Sequence, residues 1–428
     1  MKVLVIGAGG REHAICWALK QTSSKELEVL CAPGNGGIAG VAKIIDVPAT
    51  AITELLEVAR NEKVDLTFVG PEAPLVEGIV DSFDQAGLPI VGPDRLASRL
   101  EGSKAFAKDF MTAHGIPTAH YLVAGSANEA LSVVRSREFG SAEDPIVIKA
   151  DGLAAGKGVV VAESKDAAEK AIRDLMIDHI AGEVAAAKVV LEEALVGPEV
   201  SILVFTDGKD YVLMPPTRDH KRIGEGDTGP NTGGMGTITD DSLVAPSDQM
   251  KVHEIVQRTL DGLDRDGLKF RGILFLGLML TESGPKLLEY NVRFGDPETQ
   301  AILMRLETDL YSIFEAIRTQ TLGGLKVRWR DGSSACVVAA NKGYPGKYES
   351  GSSINGLETI NDENVQIFHA GTTLAPNGEL LATGGRVLGV TAFGTSLSEC
   401  LGRCYFSLEK IYWPGMQFRR DIGKPAFR

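Results

Sequence analysis

Residues 286–300 read KLLEYNVRFGDPETQ, and both the fold and the chemistry can be read outward from them. Leu287, Leu288, Tyr290 and Val292 give the first half the apolar content of a β-strand. Side chains alternate faces along a strand, so Glu289, Asn291 and Arg293 are expected on one face and Leu288, Tyr290 and Val292 on the other. A carboxylate beside an amide oxygen suits a hard cation such as Mg2+, which keeps water and substrate phosphate oxygens as its other ligands. A guanidinium two residues further on can hold a carboxylate or phosphate through paired hydrogen bonds. The strand then breaks into Phe294-Gly295-Asp296-Pro297-Glu298, a turn-rich segment that adds carboxylates.

The surrounding chain has 428 residues, room for about three domains. Hydrophobic residues make up 44% and charged ones 24%, which places it among ordinary globular chains rather than disordered or fibrous ones. Net charge is −13 with no Lys/Arg stripe, which argues against a nucleic-acid or anionic-membrane partner. Bound phosphates must therefore be held by local geometry and local cations. The apolar run over 3–6 is too short for the core of a signal peptide, and the run over 272–280 is about half a membrane span. Five cysteines without metal-ligand spacing fit free thiols in a reducing cytoplasm.

Residues 1–100 alternate strand and helix. Strands are predicted over 2–6, 27–31, 43–47, 65–69 and 88–91, and helices over 11–20, 53–61 and 74–86. This rhythm implies a parallel sheet covered on both faces, with ligands outside the carboxyl ends of its strands. Gly-rich loops stand at those ends: 7–12 (GAGGRE), 33–37 (PGNGG) and 70–74 (GPEAP). The first resembles a dinucleotide fingerprint but carries Glu12 where the third glycine belongs. Cys31-Ala32-Pro33 stands where the ribose-binding acid belongs, so a nicotinamide cofactor is disfavoured. An anion at the following helix N-terminus stays compatible with the loop.

A helix over 103–114 carries Lys104 in its first turn, the wrong end of the dipole for a cation unless an anion sits nearby. Residues 145–162 (PIVIKADGLAAGKGVVVA) place two strand-like runs around a glycine-rich tip. The tip is not a Walker loop: three residues rather than four separate Gly152 from Gly156, and Gly158 rather than Ser or Thr follows Lys157. A hairpin whose tip folds its amides over a triphosphate, with Lys149 reaching in from the strand, fits better. The segment 192–199 (EEALVGPE) reads as a hinge. Asp219-His220-Lys221-Arg222 opens a long segment ending at Gly236 that is expected to be an unstructured functional loop, with His220 exposed. A helix over 248–264 and a strand over 272–280 lead into the opening stretch. From about 326 the pattern changes to strands over 335–340, 365–369 and 386–390 and a helix over 396–410.

Taken together, IKADGLAAGKGV, EEALVGPEVS, LLEYNVRFGDPETQ and DHKR…DTGPNTGGMG resemble the ATP-grasp superfamily. With IGAGGREHA, APGN, VGPEAPL, LEGSKAF and KGYPG they resemble, within it, the phosphoribosylamine–glycine ligases, also called glycinamide ribonucleotide synthetases. The resemblance covers essentially the whole chain. It implies a Rossmann-like substrate domain over 1–102, an ATP-grasp region over 103–325 with a lid at about 124–190, and an α+β domain over 326–428. It also implies a cytoplasmic, monomeric ligase that joins glycine to 5-phosphoribosylamine through glycyl phosphate, using ATP and Mg2+, or Mn2+ in its place.

On that resemblance Lys104 and Lys149 hold ATP phosphates under a tip formed by Asp151, Gly152, Gly156, Lys157 and Gly158. Glu192, Glu193, Leu195 and Glu199 line the adenine and ribose site. Glu289 and Asn291 bind the metal, while Arg293, Asp219 and Lys221 act on the reacting groups. Gly10, Arg11, Glu12, Asn35 and Glu72 bind phosphoribosylamine, and Asp219, Arg293 and Asp296 make further substrate contacts. The chain departs from the family pattern in three places. The strand over 275–279 has no second acid, no aromatic follows Gly236, and 177–187 lacks a Phe-Gly pair. Two other readings use the same residues: a different ATP-dependent carboxylate–amine ligase, and a nucleotide-binding regulator without catalysis. Phosphate release with and without each substrate separates them.

Overall fold

The computed structural model describes residues 1–424 apart from 137, 140, 142–143, 155–157, 181 and 183. The first sheet has five parallel strands in the order Lys43–Ile44, Glu28–Pro33, Lys2–Gly7, Leu66–Val69, Ile90–Val91. Its apolar runs are buried on both faces, as a parallel sheet between helices requires. The strand order reverses between Lys2–Gly7 and Leu66–Val69, which opens a crevice between the loops that follow them.

Glu12 fills that crevice. Its carboxylate accepts the Gly9 amide at 2.6 Å, and a Cβ on Gly7 would stand 2.5 Å from Glu12 Cγ. A Cβ on Gly70 would meet the same carboxylate. The acid that spoils the dinucleotide fingerprint therefore occupies the space that the glycines leave. The helix expected over 74–86 is two, Glu72–Glu77 and Ile79–Gln85. Gly78 separates them at φ +91°, a left-handed conformation that glycine adopts without strain.

A second, antiparallel sheet of ten strands follows the path Gly284–Asn291, Gly272–Thr281, Glu199–Thr206, Thr217–Asp219, Gly236–Thr239, Ser333–Asn341, Arg386–Gly394, Val365–His369, with Tyr211–Leu213 on Glu199–Thr206 and Met416–Gln417 on Ser333–Asn341 off this path. Gly236–Thr239 pairs antiparallel with Ser333–Asn341, so the central and C-terminal regions share one continuous sheet. The strands and the helix Leu397–Leu408 expected after 326 are present. Residues 219–236 are not an unstructured loop. Arg222–Gly224 pairs with Thr228–Asn231 as a hairpin between two strands of the large sheet.

A four-stranded sheet, Tyr121–Ala124, Val189–Glu193, Ile146–Ala150 and Val159–Ala162, stands beside the large one. Ile146–Ala150 and Val159–Ala162 form the expected hairpin, with Ile146 opposite Ala162. Its helices Ala127–Ser136 and Lys165–Met176 close a small apolar core of their own around Ile148, Leu191, Ile172 and Leu175.

Candidate active site

The strand Gly284–Asn291 does not alternate cleanly. Its pairing with Gly272–Thr281 slips between Gly277 and Leu278, so that Glu289 opposes Gly277 and Leu287 opposes Leu278. The extra residue is Leu288, a β-bulge. Leu287 rather than Leu288 joins Tyr290 and Val292 in the core. Leu288 instead offers its carbonyl to Lys149 Nζ at 3.2 Å, which ties the lid hairpin to this strand. Glu289, Asn291 and Arg293 face away from the core, half-buried. Burial opposes the charge on Glu289, yet Lys221, Lys149, Lys104 and Arg293 outweigh it and hold the carboxyl below its ordinary range.

Glu289 and Asn291 are hard oxygen donors on one strand face. Among the described residues no group of three or more His, Cys, Asp or Glu side chains forms a metal cage. Two protein oxygens completed by phosphate and water suit Mg2+, so the donor set fits.

The fork of Arg293 is already occupied. Nη2 donates to Glu101 Oε1 at 2.6 Å and to Asn291 Oδ1 at 3.2 Å, and Nε donates to Glu72 Oε2 at 3.3 Å. Glu101 also accepts the Val292 amide at 2.8 Å. Burial works against the Arg293 charge, but Glu101 and Glu72 raise its pKa further above the ordinary value. Arg293 thus orders the end of the Glu289 strand against two acids from the N-terminal region. Glu101 was not singled out by the sequence, although it stands in LEGSKAF.

Glu192 is 1% exposed and lies between two lysines. Lys108 Nζ is 2.9 Å from its Oε2, and Lys149 Nζ is 2.9 Å from its Oε1, the latter an ion pair without hydrogen-bond alignment. Lys108 also donates to Thr118 Oγ1 at 2.7 Å. Its pKa is lowered to about 8, by burial first, with Glu192 opposing. Lys108 is a second residue that sequence reasoning missed. Glu193 accepts the His120 amide at 2.9 Å and Lys286 Nζ at 3.3 Å. Leu195 is half-buried in the hinge.

Asp219 and Glu199 stand on strands of the same sheet as Glu289, and Lys221 and Glu298 add to their electrostatics. Lys221 pairs with Glu199. Asp219 is pushed up to about 6, by burial first and then by Glu199 and Glu289 against Lys221. Glu298 is pushed up to about 7 by burial and by Asp219. The expected exposure of His220 is wrong: the ring is 5% exposed and its Nε2 accepts the Gly423 amide at 3.1 Å. Burial, then the Arg419 charge, lowers its pKa from 6.5 to about 4.

Native His220 is therefore neutral, while the unfolded chain takes up its proton first. Stability tied to it is present above pH 6.5 and is lost as pH falls through about 4. His220→Gln is expected to remove about 2 kcal/mol of this acid loss, read from denaturant unfolding at pH 7 and pH 4.

The glycine tip is anchored where it leaves the strand. Asp151 Oδ1 accepts Ser103 Oγ at 2.9 Å and the Ala105 amide at 2.8 Å, so it braces the start of the helix Lys104–Ala113. A Cβ on Gly152 would stand 2.9 Å from Ala185 Cα, and one on Gly158 2.6 Å from Ala154 Cβ. These two glycines allow close packing. Gly156 and Lys157 lie outside the described residues. Lys104 begins that helix, half-buried, with its charge acting on Glu289.

The N-terminal loops are also largely self-satisfied. Asn35 donates to the Ala8 and His369 carbonyls at 2.8 Å and accepts the Gly37 and Ile38 amides at 3.0 Å, so its side chain shapes the loop. Arg11 donates to Glu12 at 2.5 Å and to the Phe294 carbonyl at 3.0 Å. Asp296 accepts Gln300 Nε2 at 2.9 Å and pairs with Arg386 at 3.3 Å. Gly10 leaves room for Gln300, whose Nε2 would be 2.6 Å from a Cβ there.

Three family models match consecutive parts of the chain. They are the phosphoribosylglycinamide synthetase N domain over 1–101, its ATP-grasp (A) domain over 102–299 and its C domain over 334–425. A phosphoribosylamine–glycine ligase of Xanthomonas axonopodis pv. citri is 47% identical over 427 residues, 99% of this chain and 97% of the relative. The chain belongs to the phosphoribosylamine–glycine ligase family. A ligase of the same name from Clostridium acetobutylicum is 44% identical, covering 99% of this chain and all of the relative. The crystal structure of the Thermotoga maritima phosphoribosylamine–glycine ligase superposes with a TM-score of 0.83 at 35% identity, covering 99% of this chain and all of that one. The biotin carboxylase domain of a Hydrogenobacter thermophilus 2-oxoglutarate carboxylase shares the fold alone, with a TM-score of 0.71 at 16% identity, 97% of this chain and 91% of that one covered. The resemblance seen in the motifs of this ligase is thus borne out along its length.

Proposed function

We propose that this chain ligates glycine to 5-phosphoribosylamine at the expense of ATP, in purine biosynthesis, at the cleft between the Glu289 strand and the lid hairpin. A carboxylate oxygen of glycine attacks the γ-phosphorus, the bond to the ADP oxygen breaks, and glycyl phosphate forms. The amine of phosphoribosylamine then attacks the glycyl carbonyl carbon. Phosphate leaves with the former carboxylate oxygen, and one proton leaves the nitrogen. Such chemistry needs positioning and charge neutralisation rather than a protein nucleophile.

Lys104 and Lys149 supply positive charge for the phosphates. Glu289 and Asn291 would hold Mg2+, which neutralises phosphate charge when bound. Asp219 and Lys221 offer the opposite charges of glycine a matched pair of partners. Glu298, with its pKa raised to about 7, is suited to take the proton from the amine. The one observation that supports this reading most is the meeting of Lys149 from the lid with the bulged Glu289 strand. All five cysteines are unpaired, which fits a reducing cytoplasm.

Glycine labelled with 18O in its carboxylate tests the route. The released phosphate is expected to carry one labelled oxygen. Unlabelled phosphate would contradict a glycyl phosphate intermediate.

A further inference from the structure

The segment carrying Asp219 and Lys221 is held from behind by the end of the chain. Gly423 donates its amide to His220 Nε2 at 3.1 Å. Arg419, 2% exposed, donates Nη1 to the Arg222 carbonyl at 3.0 Å and to Asp227 Oδ1 at 2.8 Å. Both neighbours of Lys221 are thereby fixed by residues 419–423.

The hold extends along the hairpin. Arg419 is itself fixed by a two-pronged pair with Asp421, 2.8 Å at each oxygen. Asp421 Oδ2 accepts the Gly226 amide at 2.8 Å, and Glu225 accepts the Arg420 amide at 3.0 Å. Ile422 is buried against Gly236, where a Cβ would stand 2.9 Å from Ile422 Cδ1. Tyr405 Oη donates to the Arg419 carbonyl at 3.2 Å and accepts the Ile422 amide at 3.1 Å, tying the segment to the C-terminal helix. Neighbouring residues of an extended chain point to opposite sides. His220 meets the latch with its ring and Arg222 with its carbonyl, while Asp219 and Lys221 act on Glu289.

We infer that Arg419 is a positioning residue for glycine: with Asp421 and Asp227 it latches the 219–236 hairpin so that Asp219 and Lys221 keep their place in the cleft. The inference rests on the proposed assignment of glycine to Asp219 and Lys221. Arg419→Met, Arg419→Lys and Asp219→Asn, each in the full chain, test both through the KM values for glycine and ATP, kcat and the thermal midpoint.

Arg419→Met is expected to raise the glycine KM by about tenfold or more while the ATP KM stays within about twofold. Arg419→Lys restores one contact and is expected to fall between. A variant that lowers Vmax with an unchanged glycine KM has only lost folded enzyme, and that result overturns the inference. If Arg419→Met does not fold, Asp227→Asn replaces it, with an expected rise of about threefold in the same KM. No rise there overturns the inference too. If Asp219→Asn raises the glycine KM and the Arg419 variants do not, the latch fails and the glycine site stands. If Asp219→Asn leaves that KM unchanged, the glycine assignment fails and the inference falls with it.

Discussion

Arg293→Ala is expected to lower kcat by about two orders of magnitude, on the order of 3 kcal/mol, because the strand end that carries Glu289 and Asn291 is no longer held in place. The same change unfolds the protein more easily. Glu101 and Glu72 lose their shared partner, and Glu101 is 7% exposed. Breaking a buried pair on one side costs about 3–5 kcal/mol because the remaining charge is stranded. Arg293→Lys keeps the charge but not the fork, so it is expected to recover more stability than turnover. Urea unfolding and single-turnover phosphate formation separate the two effects. Near-normal turnover of Arg293→Ala would remove this residue from the account of the site.

Glu192→Ala has the largest expected effect on the joint between lid and core. It strands Lys108 and Lys149, which are 2% and 5% exposed and meet at this one carboxylate. The expected cost is about 3–5 kcal/mol, with a raised ATP KM because Lys149 is no longer held. The double variant Glu192→Leu/Lys108→Met removes one charge from each side. It is expected to regain stability while the ATP KM stays high. If Glu192→Ala alone unfolds like the parent chain in urea, the buried triad contributes nothing.

The parallel N-terminal sheet and the lid hairpin were legible because they depend on local apolar runs and local turns. The Glu289, Asn291, Arg293 spacing was legible because strand alternation is a local rule. What the sequence hid was set at long range. The bulge at Leu288 comes from the fit of one strand against its neighbour, and period two alone chooses the wrong leucine for the core. His220 is buried through a partner 203 residues away. Asp151 braces a helix that starts 47 residues before it, so its role cannot be seen in the glycine tip. Gly78 lies inside the single helix expected over 74–86, and only its φ of +91° shows that it divides two. Glu101 and Lys108 have motif neighbours that draw the eye, while their own partners, Arg293 and Glu192, come from distant strands.

The central claim is that one cleft brings ATP, glycine and phosphoribosylamine together. Phosphate release from MgATP, followed with glycine alone, phosphoribosylamine alone and both, tests it most directly. Multiple turnovers with both substrates, and little phosphate with either one, are predicted. Equal release with an unrelated carboxylate in place of glycine, or none with both substrates present, would contradict it.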